Sequence, residues 1–230
     1  MTRMTLPVLV LALLLPVLAV PAQEASAPPA LLRERIEWCD VWHTDADKDD
    51  RPRVLLVGDS ITRGYFDAVE QGLGDAAYCS RYTTSRSVCD PVFFQELGLI
   101  LSQYPYRVIH FNNGLHGWGY TEAQYAAAFD RLLDALRAEA PGARLIWAST
   151  TPVRSGSGMS DDRHRVAERN ALAAERVGKA GIPVNDLHAL SVDHPEHFSG
   201  DGVHFSPAGK AVQAEAVAAA VKKALEAPAP

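Results

Sequence analysis

Val54-Leu55-Leu56-Val57-Gly58-Asp59-Ser60-Ile61-Thr62 is the stretch on which the reading of this chain turns. Four apolar residues running straight into Gly-Asp-Ser read as a fully buried strand. From Ile61 to Leu73 the apolar spacing changes to that of a helix. A strand that passes through a short polar turn into a helix puts Ser60 at the carboxyl edge of a sheet, where open α/β folds bind their ligands. It also puts Ser60 at a helix N-terminus, whose free N–H groups favour a developing negative charge. Taken alone, Ser60 reads equally well as a plain helix N-cap.

The other end of the chain weighs against that plainer reading. Asp201-Gly202-Val203-His204-Phe205 is followed by Ser206-Pro207 and an alanine-rich run to Leu225. Ser206 as N-cap and Pro207 at the first helical position start a last helix over 207–225. Asp201 and His204 then lie on the turn that enters it. A carboxylate three residues before a histidine can accept a hydrogen bond from one imidazole nitrogen, which leaves the other free to take a proton from a serine hydroxyl.

Gly58-Asp59-Ser60-Ile61-Thr62 early in the chain, with Asp201 to His204 just before the last helix, resembles the SGNH/GDSL lipase–esterase superfamily from about Arg53 onward. The resemblance implies a three-layer α/β/α, flavodoxin-like fold. It also implies a triad of Ser60, His204 and Asp201, with no cofactor. Acyl transfer further needs donors for the oxyanion. The N–H of Ser60 is one. The resemblance implies two more: a glycine N–H after the second strand and an asparagine in a Gly-x-Asn motif after the third. This chain departs from both patterns. After the second strand it has Thr84-Ser85-Arg86-Ser87-Val88-Cys89-Asp90, with no glycine, which leaves the N–H of Ser87 or Cys89. After the third it has Asn112-Asn113-Gly114-Leu115-His116-Gly117-Trp118, which puts His116 in the asparagine position. A neutral imidazole can donate one N–H. A shifted frame makes Asn113 the donor instead.

Strands are expected at 53–57, 77–83, 106–112, 143–149 and 182–185, with helices at 61–72, 91–103, 121–139, 161–180 and 207–225. This alternation calls for a five-stranded parallel sheet covered on both faces. Leu32, Ile36 and Cys39 have helical spacing, so 31–42 is expected to pack as a helix on the domain edge. Asp45 to Asp50 is a charged loop without the glycine and final glutamate of a calcium loop. The polar loops after the strands converge at one edge, where Trp118, Tyr120 and Arg154 are placed to shape a substrate pocket, Trp118 reading equally well as a cap on the core.

The length of 230 residues suits one well-cored domain. A net charge of −6 offers no basic excess for nucleic acid. Arg3, the apolar run Leu6–Val20 and Val20-Pro21-Ala22 read as a cleaved signal peptide over 1–22, with an uncleaved anchor as the alternative. A linker over 23–30 and a hydrolase-like domain over 31–227 follow. The expected location is secreted or periplasmic, with no membrane span after cleavage. Cys39, Cys79 and Cys89 allow at most one intrachain disulfide, and sequence does not choose the pair. In Asp193-His194-Pro195-Glu196-His197, Pro195 argues against a shared helical face, so no metal site is expected. His110 reads as a structural residue within a strand, and Asn170 as a helix residue bonding locally or facing water. Two function classes stay open. One is a serine esterase acting on a small-molecule or carbohydrate ester, such as an O-acetyl sugar. The other is an O-acyltransferase or glycan-binding relative using the same site. Oligomeric state is not legible.

Overall fold

The computed structural model describes residues 31–157 and 163–227, so the expected signal peptide over 1–22 and linker over 23–30 lie outside it. The strands are β1 (Cys39–His43), β2 (Arg53–Gly58), β3 (Tyr78–Thr84), β4 (Tyr106–Phe111), β5 (Arg144–Ala148) and β6 (Val184–Asn185). They form one sheet in the order β1-β3-β2-β4-β5-β6. β2 to β6 are parallel and take the expected flavodoxin-like order. The helices are α1 (Ser60–Leu73), α2 (Pro91–Leu101), α3 (Glu122–Glu139), α4 (Arg163–Lys179), α5 (Leu187–Val192) and α6 (Pro207–Glu226). The short α5 has no counterpart in the sequence reading.

Alternate residues of β2 serve opposite faces, as the strand period requires. Val54 and Leu56 pack with Phe66, Val69, Val217 and Val221, beneath α1 and α6. Leu55 and Val57 pack with Phe93, Phe129 and Val177, beneath α2, α3 and α4. All four β2 side chains are at most 1% exposed. Such burial is worth about 1.5–3 kcal/mol for each large aliphatic side chain, and it fixes β2 at the centre of the sheet.

The first expectation to fail is the helix over 31–42. Cys39–His43 instead adds an antiparallel sixth strand to the outer edge of β3, in the register Cys39↔Thr84 to His43↔Ser80. Leu32 and Ile36, expected to be buried by a helix, are 42% and 59% exposed. The free N–H and C=O groups of β3 take the segment as a ladder partner, and tertiary pairing overrides helical spacing. Side chains tie the edge together: Arg81 reaches both carboxylate oxygens of Asp40 at 3.0 and 3.3 Å, and His43 Nδ1 lies 2.9 Å from Ser80 Oγ. Among the described residues no helix is long and apolar enough to cross a membrane.

Candidate active site

β2 lies between β3 and β4, and the chain order reverses direction across the β2/β4 pair. The loops leaving β2, β3 and β4 therefore open at the same edge, at the position where doubly wound folds hold ligands. Asp59, not Ser60, caps α1: its carboxylate accepts from the Ile61 N–H at 2.8 Å. Ser60 becomes the first helical residue, with its hydroxyl free of capping work. That hydroxyl lies 2.8 Å from His204 Nε2. The N–H of Ser60 has no acceptor among the described residues, as expected for a first-turn donor.

His204 is held from its other side. Its Nδ1 is 2.6 Å from Asp201 Oδ2, while Asp201 Oδ1 accepts from the Val203 N–H, the His204 N–H and the Ser199 hydroxyl. Burial alone would raise the Asp201 pKa. These hydrogen bonds, led by that of His204, outweigh it and hold the carboxyl well below the usual range. Gly202 makes the turn possible with φ of +69°, and its carbonyl accepts from the Arg154 N–H at 2.9 Å. Ser206 caps α6 and Pro207 opens it, as the sequence indicated.

The expected oxyanion donors separate. The Cys89 N–H bonds to Ser87 Oγ at 3.2 Å and is spent within its own loop. The Ser87 N–H has no acceptor among the described residues. Asn113 is fully engaged: Oδ1 accepts from the Val88 N–H and Nδ2 donates to the Arg86 carbonyl, both at 2.9 Å. It clamps the β3–α2 loop to the β4–α3 loop. His116 Nδ1 lies 3.1 and 3.0 Å from the two oxygens of Glu34, while its Nε2 is buried with no partner. Burial would lower the His116 pKa. The Glu34 hydrogen bond, with the negative charges of Asp59, Glu34 and Glu37, raises it instead. Gly117, with φ of +77°, lets Ser87 approach: a Cβ there would lie 2.3 Å from Ser87 Cβ.

The three expected pocket residues also diverge. Trp118 is half-buried, with Arg169 at 4.2 Å and Arg165 at 5.2 Å from its ring centre. Tyr120 is only 4% exposed, and its hydroxyl accepts from the Leu32 N–H at 2.9 Å, so it anchors the 31–38 segment. Arg154 is half-buried and lies 5.5 Å over Phe198.

Several organising residues carried no signal in the sequence. Glu34 reaches His116 from the segment before β1, and no local spacing marks it. Arg169, fully buried on α4, donates to the carbonyls of Gly114, His116 and Gly117, and so shapes the whole β4–α3 loop. Asn170 does not face water: its amide brackets Thr150 through the Thr150 N–H and carbonyl, both at 2.8 Å. His110 is buried in β4 as expected, against Asn185 at 3.1 Å, and burial pushes its pKa down to about 4. The three cysteines are free thiols, and burial raises Cys79 to about 12 and Cys39 to about 11. His194, Glu196 and His197 do come together, with the two rings stacked at 4.8 Å. His194 Nδ1 is 2.9 Å from Glu196 Oε1, within hydrogen-bond distance.

The GDSL-like lipase/acylhydrolase family model matches residues 111–212, which hold His116, Asp201 and His204 but not Ser60. The fold is that of the SGNH hydrolases. A lipase/acylhydrolase from Enterococcus faecalis is 20% identical with a TM-score of 0.61, covering 75% of this chain and 96% of its own. A carbohydrate esterase family 3 structure from Talaromyces cellulolyticus is 16% identical with a TM-score of 0.62, covering 76% and 99%. The C-terminal catalytic domain of peptidoglycan O-acetyltransferase A from Streptococcus pneumoniae is 19% identical with a TM-score of 0.57, covering 78% and 97%. No curated protein matches the chain. Beyond the five parallel strands expected from the sequence, β1 adds an antiparallel strand at the sheet edge, and His116 stands where the resemblance implies an asparagine.

Proposed function

We propose that this SGNH/GDSL domain is a serine esterase, with Ser60 as nucleophile, His204 as general base and Asp201 orienting the imidazole. The observation that carries the reading is the continuous contact from Ser60 Oγ through His204 to Asp201, at 2.8 and 2.6 Å. In this reading His204 Nε2 takes the Ser60 proton as Oγ bonds to the ester carbonyl carbon. The negative charge that develops on the carbonyl oxygen meets the N–H groups of Ser60 and Ser87 and the His116 ring. Collapse breaks the bond to the alkoxy group, which leaves with the proton returned by His204. Water, deprotonated by the same nitrogen, then releases the acid from Ser60.

Hydrolysis is favoured over transfer because His204 and Asp201 have side-chain exposures of 46% and 51%, so water has direct access. The carbohydrate esterase and O-acetyltransferase neighbours support an O-acyl carbohydrate as the substrate class. Export rests on Arg3, the apolar run Leu6–Val20 and the small residues that follow. A panel of 4-nitrophenyl and acetyl-sugar esters, run on wild type, Ser60→Ala and His204→Ala, tests the reading. Either substitution is expected to lower kcat by about 10³-fold or more. Full turnover by Ser60→Ala would overturn it.

A further inference from the structure

A cavity of about 200 Å³ opens beside Ser60 and His204, between the first turns of α1 and α6. That is below the roughly 300–1,000 Å³ of pockets enclosing a whole small ligand. It has room for one part of an ester. Arg63 and Gly64 of α1 face Lys210 and Gln213 of α6 across it. Gly64 leaves space for the lysine stem: a Cβ there would stand 3.2 Å from Lys210 Cε.

Two features of this wall are unusual for a helix pair packed on a core. Gln213 is 1% exposed, yet neither Oε1 nor Nε2 has a partner among the described residues. A buried amide left unpaired is costly, and a bound group with its own donor and acceptor removes that cost. The second feature is charge. No carboxylate lines the cavity, and Lys210 makes no ion pair among the described residues. Arg63 lies 4.6 Å over the Trp38 ring with its nearest carboxylate, Asp40, 4.0 Å away. Asp201 is committed to His204, and Asp59 to the Ile61 N–H.

We propose that this cavity is a substrate subsite for a carboxylate carried near the ester, with Lys210 and Arg63 holding the anion and Gln213 an adjoining polar group. The inference rests on Ser60 being the nucleophile, and it names the substrate class: an ester with an anionic acyl or alcohol part. Matched pairs test it. Mono-4-nitrophenyl glutarate against 4-nitrophenyl butyrate places the charge on the acyl side. 4-Acetoxybenzoate against phenyl acetate places it on the alcohol side. In wild type the charged member of at least one pair is favoured by about tenfold in kcat/KM. That ratio falls toward one in Lys210→Ala and inverts in Lys210→Glu, and being taken within each variant it is insensitive to partial unfolding. A wild-type ratio of one or less in both pairs, or a ratio that Lys210→Glu does not move, overturns the subsite. Calorimetric titration of Ser60→Ala with monomethyl and dimethyl glutarate reads binding without turnover. Tighter binding of the monomethyl ester, abolished by adding Lys210→Glu, with no ester turned over by wild type, would keep the subsite and overturn the esterase reading. Turnover without charge preference or such binding would do the reverse.

Discussion

Ser60 is available for chemistry because its neighbour does the structural work. With Asp59 capping α1, the serine hydroxyl is left to His204 and its N–H to whatever charge develops beside it. His116 is the more exposed assignment at this scale. Removing one oxyanion donor typically costs about 10²–10³ in kcat with little change in ground-state binding. His116→Ala is therefore expected to depress kcat by that factor at nearly constant KM, and His116→Asn to recover part of it. Kinetics paired with melting temperatures check this, because a loss that merely follows unfolding would remove His116 from the site. Glu34 supplies a pH signature. Its lowered pKa contributes stability that is lost as pH falls through that lowered value. The raised pKa of His116 contributes stability that is lost as pH rises through the raised value. Glu34→Gln is thus expected to cost most stability between the two and progressively less on the alkaline side. Denaturant unfolding at pH 6 and pH 9 reads the difference, and an equal loss at both would contradict the pairing.

At the scale of elements, the turn Asp201–His204 is held by conformation as much as by contacts. Gly202 has φ of +69° and lies against Arg154 and Ser157, each with its Cβ 3.2 Å from where a new Cβ would stand. Gly202→Ala is expected to cost about 1–2 kcal/mol from backbone strain and to lower kcat by displacing His204. Thermal melts and turnover measured on one preparation test both effects. This turn was legible in the sequence because Asp, Gly and His sit within four residues of one another and a cap follows at once. β1 was not. Leu32, Ile36 and Cys39 carry helical spacing, and nothing local to them reveals that β3 has an unpaired edge. Glu34, Arg63, Lys210, Gln213 and Arg169 escaped for the same reason. All but Arg63 reach the site from elements far from Ser60 in sequence, and Arg63, on Ser60's own helix, gains its meaning only from the facing α6.

For the molecule as a whole, the doubly wound order was readable because β2, β4 and β5 each carry a short apolar run and the strands are separated by helices with clear caps. The price of that buried sheet appears at His110, which is 1% exposed with a pKa near 4. The unfolded chain takes up a proton there near the ordinary histidine value of about 6.5. Stability from this group is therefore full above that value and lost as pH falls toward 4, by up to about 3 kcal/mol. His110→Gln is expected to flatten the acid limb of a stability–pH curve between pH 7 and 4.5. An unchanged slope would place the acid sensitivity elsewhere.

The central claim is that the edge of this sheet activates one hydroxyl, that of Ser60. Covalent labelling tests it directly. Wild-type protein treated with a 4-nitrophenyl phosphonate ester, digested and read by mass spectrometry, is expected to carry one adduct, on the peptide containing Gly58-Asp59-Ser60, and His204→Ala to carry almost none. Labelling spread over other serines, or undiminished in His204→Ala, would contradict the account.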